Sequence, residues 1–334
     1  MREILIADPI AKSAIVSLQS LGLNVQNKPT LSAEQLAENI QQTDILIVRS
    51  TRVDETTITA ARNLELIVRA GAGINTIDVN AATKNGIYVA NCPGKNASAV
   101  AELVIGLFIV MDRNIIEATN DLGNGIWKKG AYAYGMGLAG NTLGILGFGA
   151  TGQSVAEAGR GLGMNVVAWS RNLLPKRATS MGIGYCSTAQ EVARRSDFVS
   201  IHLSANPSTY HLVNRRFLQQ MRDGAYLVNT SRGEIIDTNA LKEAIYQKGL
   251  RVALDVFEDE PLKDGHTFKD LELARVVVAT PHIAASTRQA VEEVSREVIR
   301  IIGSFIASGM ALNAVNAPAA IQEPGIKDSF QYAY

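Results

Sequence analysis

The sequence predicts an α/β fold with two doubly wound parallel-sheet domains, and three observations lead to this prediction. Short apolar runs alternate with amphipathic stretches along most of the chain, as strands and helices do in parallel sheets. The 334 residues correspond to about two domains. A glycine-rich turn opens a second series of strands and helices near the middle of the chain, so a separate domain is expected to precede it.

The composition excludes several classes of function. The chain carries 32 basic and 32 acidic residues, and this balance gives no long-range field for attracting nucleic acid or an anionic membrane. The apolar N-terminal run ends at Asp8-Pro9, too early for a signal peptide, and residues 103–111 are too few to span a bilayer. Cys92 and Cys186 match no zinc or redox spacing. We therefore expect a cytoplasmic protein with no metal site, no nucleic-acid partner and no membrane association.

The first part of the chain predicts four strands and three helices. The strands cover residues 3–7, 44–48, 66–69 and 87–90. The helices lie near residues 10–21, 33–40 and 78–84. Ser32 and Gln35 form a capping-box pattern before the second helix, and Gly86 is well placed to end the third.

The second part begins with a long predicted helix over residues 97–122, followed by a glycine-rich loop that reaches residue 141. Strands are predicted at 142–146, 165–169, 197–203, 225–229, 252–255 and 275–279. The helices between them cover 150–162, a segment from about 188, 214–220 and 238–248. A last helix, 286–307, should return to the first lobe. We expect a substrate-binding domain of residues 1–96 plus 286–320, a dinucleotide-binding domain of residues 97–285, and a loose tail over 321–334.

The clearest motif is the turn after the strand at 142–146, which reads Gly147-Phe148-Gly149-Ala150-Thr151-Gly152. Gly147 permits a tight turn, Gly149 lets the backbone approach a pyrophosphate, and Gly152 allows close packing of helix on strand. The helix start that follows favours phosphate. An ordinary structural turn is the alternative. Two Rossmann-like or flavodoxin-like domains, with the active site in the cleft between them, are therefore predicted.

The end of the next strand bears on the choice of cofactor. An NAD-binding unit usually has an acidic residue there, which bonds the ribose hydroxyls. This chain has Ser170 and Arg171 instead, and these can donate to and neutralise a 2′-phosphate. NADP(H) is therefore favoured. NAD(H) remains the alternative, because an arginine can also stack on adenine and accept either cofactor.

Three polar residues follow three later strands, and ligands bind at the carboxyl ends of such strands. They are Arg232, Glu260 and His282. Taken singly, each has a structural alternative: a surface ion pair, one carboxylate of an acidic turn, and a hydrogen-bonded structural histidine. Together they suit reduction of a keto acid. Arg232 would grip a carboxylate, His282 would exchange a proton, and Glu260 would orient the imidazole and favour its charged form.

At these residues the chain resembles the D-isomer-specific 2-hydroxyacid dehydrogenases, especially the 3-phosphoglycerate dehydrogenase-like branch. The resemblance runs from the first strand to VNAPA near residue 319. It is carried by the segments RAGAGINTID, ANCPGKNASAVAELVIG, GFGATG, LVNTSRGEIID, ALDVFEDEPL and TPHIAAST.

The resemblance implies roles for individual residues. Arg232, Glu260 and His282 take the catalytic positions. The cofactor-contact positions beyond the glycines are Phe148, Ala150, Thr151, Thr230, Ser231, Asp255, His282 and Ala285, with Asp255 on the nicotinamide carboxamide. The substrate-contact positions are Arg49, Ser50, Ala72, Gly73, Asn96, Arg232 and His282. Arg49 and Arg52 can neutralise a phosphate, or they can form a short solvated basic loop. Residues 123–141 resemble the family's dimer-forming arm, so a homodimer through residues 97–141 is expected, with Trp127 and Tyr132 as anchors.

The predicted activity is hydride transfer between a nicotinamide and a small 2-keto or 2-hydroxy acid. A glyoxylate, hydroxypyruvate or bulkier keto-acid reductase is favoured slightly over D-3-phosphoglycerate dehydrogenase, because the cofactor position suits NADP. The sequence ends soon after VNAPA, so we expect no C-terminal regulatory domain. An NAD(H)-sensing corepressor-like scaffold and an inactive structural homologue are the rivals from another class. The intact set of three polar residues argues against both.

Overall fold

A computed structural model describes residues 1–261, 265 and 267–318. The predicted tail over 321–334 lies outside the described residues, as do residues 319–320 at the end of the predicted first domain. The chain divides into two compact units. The first unit comprises Met1–Asn96 with the described residues from Thr287 onward, and the second comprises Ala97–Ser286. The second boundary predicted from the sequence, after residue 285, lies one residue before this one.

The elements in chain order have the following bounds. The strands are β1 Glu3–Ile6, β2 Asn24–Asn27, β3 Ile45–Val48, β4 Leu66–Arg69, β5 Tyr88–Asn91, β6 Thr142–Leu146, β7 Asn165–Trp169, β8 Gly184–Tyr185, β9 Phe198–Ile201, β10 Tyr226–Asn229, β11 Arg251–Leu254 and β12 Val278–Ala279. The α-helices are α1 Lys12–Ser20, α2 Ala33–Asn39, α3 Glu55–Ala60, α4 Val79–Lys84, α5 Ala97–Asp112, α6 Ile115–Gly123, α7 Ala150–Gly161, α8 Pro175–Ser180, α9 Ala189–Arg195, α10 Arg215–Gln220, α11 Thr238–Lys248, α12 Leu271–Val276 and α13 Arg288–Ser308.

The first unit contains a five-stranded parallel sheet in the order β2-β1-β3-β4-β5. This is the flavodoxin-like order. Helix α13 packs on the sheet: its buried residues Val298 and Ile301 share a core cluster with Ile4 and Ile47 of the strands. The predicted capping box at the start of α2 is present, with Ser32 and Gln35 bonded in both directions.

The second unit contains a seven-stranded parallel sheet in the order β12-β11-β10-β9-β6-β7-β8. Counted from β6, this is the Rossmann order 3-2-1-4-5-6 with one further strand. The strand order reverses between β6 and β9, and a ligand site is expected beyond the carboxyl ends of the strands at such a point. Both sheets confirm the predicted α/β fold of two parallel-sheet domains.

In the described part of the chain, five short strands and helices were not predicted from the sequence: β2, α3, α8, β8 and α12. Strand β2 has the sequence NVQN, in which only Val25 is apolar, because it is an edge strand with no fully buried residue. Strand β8 lies at the opposite edge of the other sheet and has two residues. Edge strands need no apolar run, so the periodicity of the sequence does not reveal them.

The predicted single helix over residues 97–122 is wrong, because it is broken between α5 and α6. Asn114 adopts a left-handed conformation with φ 48° at the break. Asp112, at the end of α5, is buried and accepts hydrogen bonds from the Tyr226 hydroxyl and the backbone N–H of Met136. These contacts hold the chain in the bend. The strand predicted at residues 275–279 is also corrected: α12 extends to Val276, and the strand β12 covers only Val278–Ala279.

Candidate active site

The three predicted catalytic residues lie at the carboxyl edge of the second sheet, in the loops after three neighbouring strands. Arg232 follows β10, Glu260 follows β11 and His282 follows β12. His282 Nδ1 lies 2.8 Å from Glu260 Oε2, and Glu260 Oε1 accepts the Phe257 N–H at 3.0 Å. Both carboxylate oxygens are therefore used, and the bond to Nδ1 fixes the imidazole through one ring nitrogen and leaves Nε2 for another partner.

Charge and burial act on this group in opposite directions. Burial disfavours the ionised form of Glu260, but the hydrogen bond and charge of His282, the Phe257 N–H and the charge of Arg232 together hold its pKa below the ordinary value. Burial lowers the pKa of Arg232, against the charges of Glu260 and Glu234. A guanidinium nevertheless stays protonated at physiological pH. The three residues thus bring together a guanidinium cation, a carboxylate held ionised and an imidazole ring.

The loop that carries Arg232 is fixed by Asn229, a residue that was not among those predicted from the sequence. Asn229 is fully buried, donates from Nδ2 to the Arg232 carbonyl at 2.8 Å, and accepts from the N–H and hydroxyl of Ser231 through Oδ1. The Arg232 guanidinium donates to the Ser231 carbonyl at 2.6 Å. The hydroxyl of Ser231, a predicted cofactor contact, therefore donates its hydrogen bond within this loop.

Gly233 brings the Arg232 loop against the Glu260 loop. A Cβ atom at Gly233 would lie 1.9 Å from the Phe257 carbonyl carbon, a distance that no side chain can adopt. This contact brings the two loops together, and the charge of Arg232 is one of the effects that lower the pKa of Glu260.

Asp255 anchors the loop that carries His282. It is fully buried, and its carboxylate accepts hydrogen bonds from the Thr280 hydroxyl and from the N–H groups of Ile283 and Ala284, at 2.6–2.9 Å. The His282 N–H donates to the Asp255 carbonyl, and His282 has φ 53°. Left-handed backbone is uncommon for a residue with a side chain, so the loop must be held in this shape. The nicotinamide contact predicted for Asp255 stays a prediction.

The glycine turn between β6 and α7 has the features that a dinucleotide requires. Gly147 has φ 92°, and a Cβ there would lie 2.3 Å from the His202 carbonyl oxygen. A Cβ at Gly152 would lie 2.1 Å from the Gly147 carbonyl oxygen, so helix and turn pack without side chains between them. A Cβ at Gly149 would meet nothing within 4 Å. The N–H groups of the first helical turn, which includes Ala150 and Thr151, have no intrahelical acceptor.

Other predicted cofactor positions are distributed between the surface and the core. The Thr230 hydroxyl is buried at the end of β10 without a hydrogen-bond partner in the described part of the chain, and it can serve a ligand group. Phe148 is buried in the apolar core, so only its backbone is available. Ala285 packs partly against the same core. Ser170 and Arg171 follow β7 beside the glycine turn, whose Gly147 N–H donates to the Trp169 carbonyl. An unpartnered buried hydroxyl and an open glycine position fit a bound dinucleotide.

The predicted substrate contacts lie in the first unit, where Asp8 organises the loop after β3. Asp8 is buried, and its Oδ2 accepts the N–H groups of Arg49, Ser50 and Thr51 at 2.6–2.9 Å. This loop lies at the carboxyl edge of the first sheet. Arg52 is exposed beyond it.

Arg69 and Asn91 connect the neighbouring loops of that edge. Arg69 Nε donates to the Arg49 carbonyl at 3.1 Å, and its guanidinium lies where a Cβ at Gly71 would sit. Asn91 Nδ2 donates to the Ala72 carbonyl at 2.6 Å. Of the remaining predicted contacts, Gly73 follows Ala72 in the same loop, and Asn96 is the last residue of this unit before α5.

Other candidate groups carry no reactive chemistry. Burial lowers the pKa of His202 to about 3, so this ring stays neutral against the Ser200 hydroxyl. Burial raises the pKa of Cys92 to about 12 and that of Cys186 to about 11, and both are free thiols. Within the described ranges, no group of three metal-ligating residues occurs, and no helix is long and apolar enough to cross a membrane.

The predicted dimer arm presents apolar side chains to solvent. Trp127 is 80% exposed and Tyr134 is 94% exposed. Tyr132, by contrast, donates its hydroxyl to Asp121 at 2.7 Å within the arm. Of the two predicted anchors, Trp127 is therefore the one that is open to a partner.

Comparisons with known proteins agree with this geometry. Residues 105–284 match the family model for the NAD-binding domain of D-isomer-specific 2-hydroxyacid dehydrogenases. The chain is 38% identical over 325 residues to a D-3-phosphoglycerate dehydrogenase of Methanocaldococcus jannaschii, covering 97% of this chain and 61% of that protein. It is 40% identical over 297 residues to a hydroxypyruvate reductase of Thermotoga maritima, covering 88% of this chain and 95% of the relative.

A solved structure gives the same result. A glyoxylate reductase from Paecilomyes thermophila superimposes with a TM-score of 0.83 at 30% identity, over 94% of this chain and 98% of that one. The chain spans about three fifths of the length of the archaeal D-3-phosphoglycerate dehydrogenases it matches, with 61% and 60% coverage. The matched domain, the two parallel sheets and this similarity over nearly the whole chain lead to one conclusion: the chain belongs to the D-isomer-specific 2-hydroxyacid dehydrogenase family.

Proposed function

We propose that this protein is an NAD(P)-dependent oxidoreductase that interconverts a small 2-keto acid and its D-2-hydroxy acid. The observation that carries the proposal is the 2.8 Å contact between His282 and Glu260, beside the loop of Arg232. This contact lies at the carboxyl edge of the second sheet, whose first strand in the chain, β6, leads into the glycine turn. Relatives of this chain are a hydroxypyruvate reductase and a glyoxylate reductase.

Each of the three residues has a defined task in this reaction. Arg232 binds the substrate carboxylate and polarises the neighbouring carbonyl. Protonated His282 gives its Nε2 proton to the carbonyl oxygen during reduction, and the neutral ring takes it back during oxidation. Glu260 holds the ring through Nδ1 and stabilises the imidazolium. The dinucleotide, when bound, supplies or accepts the hydride at the 2-carbon.

We infer that NADP(H) is the preferred cofactor, with NAD(H) as the alternative. Gly147, Gly149 and Gly152 would admit the pyrophosphate, and the buried hydroxyl of Thr230 would form a hydrogen bond to the dinucleotide. Ser170 and Arg171 replace the acidic residue that would repel a 2′-phosphate. The matched family domain is named for NAD, so the preference for NADP(H) rests on these two residues.

The substrate contacts in the first unit are assigned to Arg49, Ser50, Ala72, Gly73 and Asn96. D-3-phosphoglycerate dehydrogenase is the second candidate function. It is favoured by the relative from M. jannaschii and by Arg49 and Arg52, which would balance a phosphate. An NAD(H)-sensing scaffold is the alternative outside the enzymes.

We also propose a homodimer in a reducing, cytoplasmic setting. The exposed Trp127 and Tyr134 of the arm give a second copy apolar surface to bury, and sedimentation velocity would report its mass. The two free, buried thiols are consistent with a compartment in which disulfides do not form.

The test is a matrix of both cofactors against glyoxylate, hydroxypyruvate, pyruvate and phenylpyruvate, with oxidation of 3-phosphoglycerate measured in parallel. Consumption of NADPH with a D-2-hydroxy acid as product is expected. Turnover confined to 3-phosphoglycerate would select the second candidate. Tight binding of cofactor with negligible turnover on every substrate would select the scaffold.

A further inference from the structure

We infer that a second histidine–glutamate pair, His211 and Glu258, acts as a positioning clamp that ties the Glu260 loop to the Arg232 loop and so holds the Glu260 carboxylate in place. The inference rests on the proposed function and adds two residues to it. His211 Nε2 lies 2.6 Å from Glu258 Oε1. Glu258 is only two residues before Glu260 in the chain. Glu258 and Glu260, two carboxylates of one loop, are thus each paired with a histidine from a different part of the second unit.

The clamp joins the loops that follow three strands. Glu258 divides its two oxygens: Oε1 takes His211, from the loop after β9, and Oε2 accepts the Thr238 hydroxyl at 2.8 Å, from the start of α11. The His211 N–H donates to the Glu234 carbonyl at 2.9 Å, two residues after Arg232. His211 therefore bonds the Arg232 loop through its backbone and the Glu260 loop through its side chain.

The backbone shows why this junction must be held. His211 has φ 49°, a left-handed conformation, and the Tyr210 ring stacks on its imidazole at 4.0 Å between centroids. The Arg232 and Glu260 loops meet at Gly233, where backbone lies directly against Phe257 and Glu258. A shift of Glu258 would move Phe257, whose N–H holds Glu260 Oε1, and with it the carboxylate that orients His282. Misplacement by about 1 Å can cost a hundredfold in rate.

The experiment compares Glu258→Gln in two backgrounds. In the wild type, the substitution should lower kcat by about tenfold with little change in the Kd of NADPH, because the glycine turn is untouched. In the Glu260→Gln background it should lower kcat by less than twofold, because the carboxylate that the clamp positions is already gone. Equal losses in both backgrounds would overturn the inference. Glu243→Gln, which removes an exposed ion pair with Arg215 on the same unit, is the matched control and should change kcat by less than twofold.

A second measurement separates this inference from the proposed function. The ¹⁵N resonance of His282 Nδ1 reports its hydrogen bond to Glu260 without turnover. In Glu258→Gln it should move toward its position in Glu260→Gln, while in Glu243→Gln it should stay at the wild-type position. A wild-type protein that reduces no keto acid would end the proposed function, yet the clamp would still stand on this shift. An unmoved resonance in Glu258→Gln would end the clamp even in an active enzyme.

Discussion

The carboxyl edges of the two sheets hold their loops in the same way but present different chemistry. In each unit a buried aspartate follows a strand and accepts three hydrogen bonds from a neighbouring loop. Asp8 accepts the N–H groups of residues 49–51 in the first unit, and Asp255 accepts donors of residues 280–284 in the second. In both units, therefore, a buried aspartate determines the shape of the loop.

The difference lies in what each loop carries. The loop held by Asp255 displays His282, whose side chain is 48% exposed and paired with Glu260. The loop held by Asp8 offers Arg49, a fixed cation, and Ser50. An imidazole ring can donate and accept a proton, whereas an arginine can only bind and polarise. Under the proposed function, related α/β architectures would support a proton-transfer edge in one unit and a binding edge in the other, with the chemistry residing in the side chains.

The sharpest way to break this comparison is to remove the proton-transfer group. We expect His282→Ala to lower kcat by about 10²–10⁴-fold, because it removes the ring that exchanges a proton with the substrate in the proposed reaction. The Kd of the cofactor, measured by fluorescence titration, should stay within about threefold of the wild type. Unchanged turnover would remove His282 from the mechanism and leave the second edge without a distinct role.

The next test compares the two arginines. Arg232→Ala should raise KM for the keto acid by about a hundredfold and lower kcat as well, because Arg232 is half-buried and its loop is fixed by Asn229. Arg49→Ala should raise KM with a much smaller change in kcat, as expected for uniform binding. Steady-state kinetics on one keto acid would decide the matter. A wild-type KM in Arg232→Ala would contradict its role as the carboxylate clamp.

Much of this organisation can be predicted from the sequence. The parts that cannot be predicted have a physical cause in common. Buried strands such as β3 and β10 are mostly apolar runs, and their ends locate Arg49 and Arg232 without coordinates. Polar edge strands such as β2 give no apolar signal. The bend at Asn114 depends on Asp112 meeting Tyr226 more than a hundred residues away, which no local pattern encodes.

The residues that support the site were missed for a related reason. Asn229 and Gly233 lie inside the motif LVNTSRGEIID, so their presence was visible, but their tasks depend on partners in other loops. The pairing of His211 with Glu258 likewise joins residues 47 positions apart. Sequence spacing predicts which residues reach one edge of a sheet, whereas the hydrogen bonds between loops depend on tertiary structure.

A smaller effect is expected for the variant that tests which cofactor the protein prefers. Arg171→Ala should raise the Kd of NADPH by about tenfold and that of NADH by about twofold or less, because only NADPH carries the 2′-phosphate. Gly149→Ala is the companion variant: its Cβ would enter the space expected for the pyrophosphate, so both cofactors should weaken together. Equal losses for both dinucleotides in Arg171→Ala would mean that this guanidinium stacks on adenine instead.

The smallest effect is expected from a charge in the first unit that stabilises structure alone. Glu297 of α13 is buried and accepts hydrogen bonds from Arg300 and Asn313, with Lys95 at 3.4 Å. The bond from Arg300 leads these effects, which together outweigh burial and lower the pKa of Glu297 to about 2. Because this value lies below that of the unfolded chain, the stabilisation is complete above about pH 4.5 and is lost as pH falls towards 2.

Glu297→Gln should therefore lower the free energy of unfolding by about 1 kcal/mol at pH 7, a figure discounted because Lys95 and Arg300 reach solvent. Denaturant titrations at a series of pH values should show the gap from wild type closing between about pH 4.5 and 2. Glu293→Gln, which breaks an exposed pair with Arg296 one turn earlier on α13, should cost less than about 0.5 kcal/mol. A gap that stays constant down to pH 2 would mean that packing of the side chain, and not its charge, stabilises α13 against the first sheet.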